Sequence, residues 1–364
     1  MRTINYITYD SWWDTDKTIL PLLAEEYIMN VIVISPSKDK KYENKKHYGN
    51  GYFTEIVQKF RDRDIRSILI AFKALLAIKK NANRSKDLFW FIPGSNPFFQ
   101  ILMYWYLPKE RTIISYHDYT PHFFGNSLSN TIESLYARLK YEFCKKYKRF
   151  LFYSEIQQRN FEKDFKSKET AICNMPLKDF GMYERKEHDE INYLFFGAIQ
   201  EYKRIDLFVE AALRFDSSKC RFVIAGKPTY DCSTIIERAN SSNNITCDIR
   251  FIKDEEVLGY FEDANFLVLP YIDATQSGPM LIALNYGIPV IASDILVFKS
   301  FVTDGENGFI FESGNVDSLS EAIRKSSTMS ENEYKLMVNS QKRKRCEYEV
   351  TTDPISAIKK LIRN

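Results

Sequence analysis

Apolar residues in this chain fall into short unbroken runs, separated by stretches in which they recur at helical spacing and by polar turns. Unbroken runs mark strands buried on both faces of a parallel sheet, and their alternation with helical patterns predicts repeated β-α-β units. In the first half, strands are predicted at 3–9, 31–34, 53–57, 87–92, 112–116 and 150–153. Helices are predicted at 17–29, 65–80, 96–106, 131–148 and 155–165, the last capped by Ser154. Residues 10–16 read as a loop carrying Trp12 and Trp13, a pair suited either to stacking on a sugar or to packing beneath the loop. Residues 177–190 are charged, contain Gly181 and read as a linker between domains. Beyond it, strands are predicted at 191–196, 265–269 and 289–292. A helix beginning at Lys203 and others at 254–263, 280–286, 317–326, 330–348 and 354–362 complete the pattern.

A chain of 364 residues is long for one doubly wound sheet and suits two domains, each burying its own core. The expected division is 1–180, 181–348 and a final helix, 349–364, that returns to the first domain. With 51 basic against 48 acidic residues the net charge is +3, too balanced to argue for a nucleic-acid partner. One local excess stands out: the helix at 65–80 has an apolar stripe flanked by Arg66, Lys73, Lys79, Lys80 and Arg84. Such a helix either packs on a sheet with its lysines in water or lies on an anionic membrane surface. Cysteines at 144, 173, 220, 232, 247 and 346 have no C-x-x-C spacing and read as buried thiols of a reducing compartment. The first residues lead directly into a strand, so no signal peptide is expected, and no apolar stretch is long enough to span a bilayer. A cytoplasmic protein, with contact at most along the inner membrane face, is the expectation.

The candidate chemistry centres on residues 265–294. A buried strand ends at Pro270, a polar loop runs to Ser277, and Gly278 and Pro279 open a helix that Gly287 closes. The loop therefore lies at the carboxyl edge of a parallel sheet, where ligands bind in open α/β folds. The first amides of that helix lack intrahelical partners and, with the helix dipole, can hold a phosphate. Gly278 admits an anion close to the backbone, and Thr275 and Ser277 add hydroxyls. The plainer reading is an ordinary crossover helix capped by Ser277.

Thr275-Gln-Ser-Gly278 followed by Gly287-x-Pro-Val-Ile-Ala-Ser-Asp294 resembles the donor-binding segment of retaining GT-B glycosyltransferases of family 4, the glycosyl transferases group 1, in their Thr-Gln-Ser-Gly variant. The segment 304–311, that from Phe196-Gly197 to Lys203 and on to Ala211, Ser154-Glu155 and 172–176 are similar to further family segments in the same order. The resemblance implies two Rossmann-like domains facing across a cleft, the second holding a nucleotide-diphosphate sugar and the first a glycan or lipid-linked acceptor. It implies sugar transfer with retention, of hexosyltransferase type, in bacterial surface polysaccharide biosynthesis, with no metal and no cofactor besides the donor.

Residue by residue, it implies a role for His117, in His117-Asp118, at the transferred sugar and the diphosphate. His122 has no such support. It implies that Lys203 offsets the leaving group's charge, and that Gly197, Thr275, Ser277, Gly278 and Pro279 lie at the donor. The backbone at Ile252 matches a segment that reads the base. There are departures. Relatives carry Arg where this chain has Ala198, and Gly where it has Arg204; Arg204, or Lys227 beside Gly226, is the candidate for the displaced charge. Two glutamates that relatives use at the sugar and ribose fall on Ala274 and Ile282. These departures leave two alternatives standing: a non-catalytic relative that binds a nucleotide or a partner, and a GT-B sugar-nucleotide epimerase.

Overall fold

The computed structural model describes residues 1–35, 51–57, 65–94, 96–116, 119, 130–216, 218–351 and 353–362. They divide into two compact units. One spans Leu177–Val350, and the other gathers the described residues before it together with the chain from Thr351 onward.

In the first unit the strands are β1 (Arg2–Tyr9), β2 (Tyr27–Ser35), β3 (Phe53–Val57), β4 (Leu88–Phe91), β5 (Thr112–Tyr116), β6 (Arg149–Phe152) and β7 (Glu169–Ile172). They form one parallel sheet in the order β3-β2-β1-β4-β5-β6-β7. Helices α1 (Trp13–Ala24), α2 (Ile68–Asn81), α3 (Pro97–Tyr106), α4 (Asn130–Lys146) and α5 (Glu155–Asp164) connect them. Ser154 caps α5 by accepting the Gln157 amide at 3.4 Å, as its position before the helical pattern predicts.

The helix predicted at 17–29 is displaced. Residues 10–12 form a 3-10 turn that runs straight into α1, and α1 stops at Ala24. Tyr27 to Met29 are drawn into β2, because they pair in register with Arg2 to Ile4 of the central strand. Sheet pairing overrides helical periodicity there. Trp12 packs against the unit's apolar core, and Trp13 meets Phe53 edge-on at 5.7 Å, so both rings are half-buried by packing. β5 ends immediately before His117; His117, Asp118 and His122 lie outside the described residues.

In the second unit, β8 (Ile191–Phe196), β9 (Cys220–Ala225), β10 (Ile245–Asp248), β11 (Phe266–Leu269), β12 (Val290–Ser293) and β13 (Gly308–Phe311) form a parallel sheet ordered β10-β9-β8-β11-β12-β13. Its helices are α6 (Ile205–Ala212), α7 (Ser233–Asn240), α8 (Asp254–Asp263), α9 (Gly278–Tyr286), α10 (Leu296–Lys299), α11 (Val316–Ser327) and α12 (Glu331–Glu349). Strand order reverses between β8 and β11, so the chain leaves the sheet in opposite directions from two adjacent carboxyl ends.

The last helix, α13 (Pro354–Ile362), belongs to the first unit. It packs on α1 and β7, with Ala357, Ile358 and Leu361 buried, and Lys359 reaches Glu26 at 2.7 Å. The cysteines are free thiols. Burial pushes that of Cys144 up to about 12, whereas Cys346, expected inside, is exposed on α12.

Ile358 has no exposed surface, so Ile358→Ala should destabilise the first unit by roughly 2–5 kcal/mol through the cavity it leaves. All the tryptophans (Trp12, Trp13, Trp90 and Trp105) are in that unit, so urea unfolding followed by tryptophan fluorescence reads it selectively. An unchanged midpoint would show that α13 does not contribute to its core.

Candidate functional site

β8 and β11 pair as Phe266↔Tyr193 and Leu267↔Leu194, which sets the loops that follow them side by side at the reversal of strand order. From β8 comes Gly197, in a left-handed conformation (φ +99°) open to glycine at no steric cost. From β11 comes the loop 270–277, which opens α9. The two are tied together by the Ile272 amide, which donates to the Tyr202 carbonyl at 2.9 Å, and by the Tyr202 and Tyr271 rings, edge-on at 5.8 Å.

At the start of α9 the Ser277 hydroxyl accepts the Met280 amide at 3.3 Å, and Pro279 occupies the first turn. Gly287 closes the helix at φ +70°. Residues 280–286 of α9 are all buried, so the helix is fixed by packing on every side and its amino end is held rigidly at the sheet edge. Thr275 and Ser277 are buried there too. The side-chain amide nitrogen of Gln276 is enclosed without an acceptor among the described residues, which marks a place for one.

Lys203 does not begin a helix as predicted. It ends a 3-10 turn, Glu201–Lys203, and Arg204 then adopts φ +50° before α6 starts. That left-handed angle is the reason glycine suits position 204 better than a side-chain residue. Here Asp206 holds the guanidinium in a two-pronged pair at 2.6–3.0 Å, which commits Arg204's charge.

The turn swings Lys203 inward, where 7% of it is exposed. Its Nζ lies 5.3 Å from the centre of the Tyr271 ring and 3.9 Å from where a Cβ on Gly197 would stand. Among the described residues no carboxylate pairs with it. Burial, and then the nearby ammonium of Lys178, push its pKa down to about 8.

Lys178 was not foreseen, because its segment reads only as charged linker. Its Nζ is 3.3 Å from the position a Cβ would take on Gly278, over the first residue of α9. Tyr286 fastens that segment to α9. Its hydroxyl accepts the Phe180 amide at 2.6 Å and lies 3.2 Å from Asp179, while its ring stacks on Tyr183 at 4.9 Å. Two ammonium groups thus converge on a helix amino terminus that already carries positive potential. Such an arrangement suits an anion.

The remaining predicted residues are placed as follows. Gly226 backs Gly197: a Cβ on it would stand 1.9 Å from the Gly197 carbonyl oxygen, so the two loops touch backbone to backbone. Lys227 is exposed, and its carbonyl accepts the Ile199 amide at 2.9 Å. Pro279 lies 3.4 Å from the same Gly197 position that faces Lys203. Ile252 is half-buried in the segment before α8. Ala274 and Ile282 are buried and bring no polar side chain to this edge.

Residues 190–328 match the family model for glycosyl transferases group 1. Among curated relatives, the chain is 31% identical over 159 residues to alpha-monoglucosyldiacylglycerol synthase of Acholeplasma laidlawii, covering 42% of this chain and 38% of that one. It is 27% identical over 131 residues to an uncharacterized protein in the cps region of Klebsiella pneumoniae, covering 35% of each. The matched stretches thus span little more than a third of the length of these relatives. In fold, sucrose-phosphate synthase from Thermosynechococcus elongatus superposes with a TM-score of 0.76 at 12% identity, over 98% of each chain. Anabaena HepE, solved with UDP and glucose, does so with a TM-score of 0.71 at 12% identity, over 99% of this chain and 100% of that one. The fold is GT-B.

A lysine depressed to about 8 should regain its proton when an anion binds beside it. Binding of a nucleoside diphosphate above about pH 8 should therefore take up protons and weaken as pH rises toward the ordinary lysine value of about 10.4. The same shift means that the empty protein gains stability over that interval, since its unfolded form binds the extra proton. Calorimetry in buffers of different ionisation enthalpy reads the uptake; release, or no exchange, would place the anion away from Lys203.

The Gly278 backbone is open except for the Lys178 ammonium, so Gly278→Val should abolish nucleotide binding in a folded protein. Normal binding by that variant would remove the start of α9 from the site.

Proposed function

We propose that the protein transfers a sugar, with retention of anomeric configuration, from a nucleotide-diphosphate sugar to a glycan or lipid-linked acceptor in bacterial glycolipid or surface polysaccharide biosynthesis. The observation that carries this reading is the convergence of Lys203 and Lys178 on the start of α9 at the β8–β11 reversal. A diphosphate there would meet the Gly278 backbone at the positive end of the helix dipole, the Ser277 hydroxyl and two cations, with no metal required to neutralise it.

Lys203 would act as the electrostatic group. As the bond from sugar to diphosphate lengthens, charge grows on the diphosphate, and an ammonium fixed in a low-dielectric pocket favours that charge over the ground state. With no carboxylate beside Lys203 among the described residues, the acceptor would attack on the face that the diphosphate leaves, and the departing oxygen would take the acceptor's proton. UDP and glucose, with which HepE was solved, are the chemistry expected at this edge. The alpha-monoglucosyldiacylglycerol synthase match and the cps-region match point to glycolipid and capsule-type acceptors respectively.

Ala274 and Ile282 favour a second reading, a nucleotide-binding relative without transfer, because neither offers a polar group to the sugar or ribose. A panel of nucleotide sugars, assayed for hydrolysis and for transfer to lipid and glycan acceptors, separates the two. Turnover with one donor supports transfer, and tight binding with no turnover across the panel supports the binder. In the active case Lys203→Ala should lower kcat by ~100-fold or more, the usual loss for one preorganised charge contact. A variant within a few-fold of wild type would exclude the electrostatic role.

A further inference from the structure

The first unit presents an exposed face that the donor site does not use. Five positions of α2 (Ile70, Ala71, Ala74, Leu75 and Ile78) are buried on the core, as an amphipathic helix requires. Its opposite side is not simply polar. Leu69, Phe72 and Leu76 are 59%, 47% and 64% exposed, at a spacing that aligns them on one outward stripe. On α3, which packs against α2, Ile101 and Trp105 also point outward, and Trp105 is 73% exposed. Scattered exposed apolar residues need no explanation, but a leucine, phenylalanine and tryptophan face shared by two adjacent helices does.

Within the two helices every charge is positive. Neither α2 nor α3 contains Asp or Glu. Lys73 and Lys80 stand exposed among the apolar residues of α2. At the far end of α3, Lys79 and Arg84 lie over the Tyr106 ring at 5.8 and 5.3 Å, and Lys146 lies over Tyr104 at 4.2 Å and Trp105 at 5.9 Å. A second copy of the chain seated on this face would bring those cations against each other.

An apolar stripe that ends in tyrosine and tryptophan and carries exposed lysines matches the boundary of an anionic bilayer. Apolar side chains enter the acyl edge there, aromatic rings settle at the headgroups, and ammonium groups meet lipid phosphates. We propose that the outward face of α2 and α3 docks the first unit on an anionic lipid surface. The two helices are covalently continuous with the unit's sheet, so docking would tether the whole unit without any spanning segment; no helix among the described residues is long and apolar enough to cross a membrane. The proposal is independent of the donor site, and its failure would leave that reading untouched.

The test is co-sedimentation of the full chain with vesicles of phosphatidylcholine alone and of phosphatidylcholine mixed with phosphatidylglycerol. The expected result is at least ~10-fold stronger partitioning to the anionic vesicles, weakening as salt is raised. Lys73→Gln with Lys80→Gln should cost about 5-fold per lysine, roughly 25-fold together. Phe72→Ser with Leu76→Ser should weaken binding by ~100-fold. Tryptophan emission should shift to the blue on binding, and Trp105→Phe should remove most of that shift. All five positions are exposed, so an unchanged melting temperature is expected of each variant. Equal binding to both vesicle types, or wild-type binding by the lysine pair variant, would overturn the proposal. So would concentration-dependent self-association abolished by Phe72→Ser with Leu76→Ser, which would make the face a contact between copies.

Discussion

A buried ammonium group without a carboxylate beside it is costly, because desolvation penalises the charged form and nothing nearby repays it. Lys203 is such a group, and much of the second unit is built to keep it where it is. The 3-10 turn that ends in it is braced through the Tyr202 carbonyl to the loop after β11. The next residue accepts a left-handed backbone and is clasped by Asp206. On the other side Gly197 and Gly226 meet without side chains between them, which brings the β8 and β9 loops close enough to wall the pocket. The Tyr271 ring offers its π-face at 5.3 Å, a weaker partner than an anion and a displaceable one. A buried ammonium beside a left-handed backbone is the kind of locally costly arrangement that clusters at functional sites.

The same edge shows how charge can be kept in place while the sequence that supplies it changes. The resemblance calls for an arginine at position 198, where this chain has an exposed alanine, and Arg204 next along is already paired with Asp206. Lys178 arrives instead from the segment that precedes β8, more than twenty residues earlier in the chain by the numbering. What fixes it is Tyr286 at the other end of α9, through the amide of Phe180 and the carboxylate of Asp179. The helix whose amino end is the candidate anion site is therefore anchored at its carboxyl end to the stretch of chain that brings Lys178.

In the second unit β8, β11, β12 and the helix between the last two could be read from the residues alone, whereas β9, β10 and β13 could not. The apolar run before Pro270, the Ser277 cap and the Gly287 stop each act within a few residues, and local signals of that kind survive folding unchanged. Elements whose bounds depend on partners were less legible. Nothing in 17–29 says that Tyr27 to Met29 will be claimed by a neighbouring strand, because the claim is made by Arg2 to Ile4 across the sheet. Lys203 could be singled out as a candidate but not in its conformation, since a turn followed by a left-handed arginine has no pattern of its own. Lys178 was invisible for a deeper reason: its role arises from a contact with Gly278 a hundred positions away, and a lysine in a charged linker looks like any solvated lysine.

Helix α2 shows the converse limit, where the pattern was visible but its meaning was not. A stripe with lysines beside it is compatible with a helix packed on a sheet and with one lying on lipid, and the two alternatives differ only in which apolar residues face inward. The fold separates the stripe into two. Ile70, Ala74 and Ile78 satisfy the sheet, and Leu69, Phe72 and Leu76 are left over, facing out beside the bare Trp105 of α3. Packing against the core therefore does not compete with an outer contact; the helix has residues enough for both. Because the surplus apolar side chains share their face with lysines and with no acid, water is a poor solvent for half of that surface. The other half is drawn to negative charge, and only an interface that is apolar on one side and anionic on the other answers both.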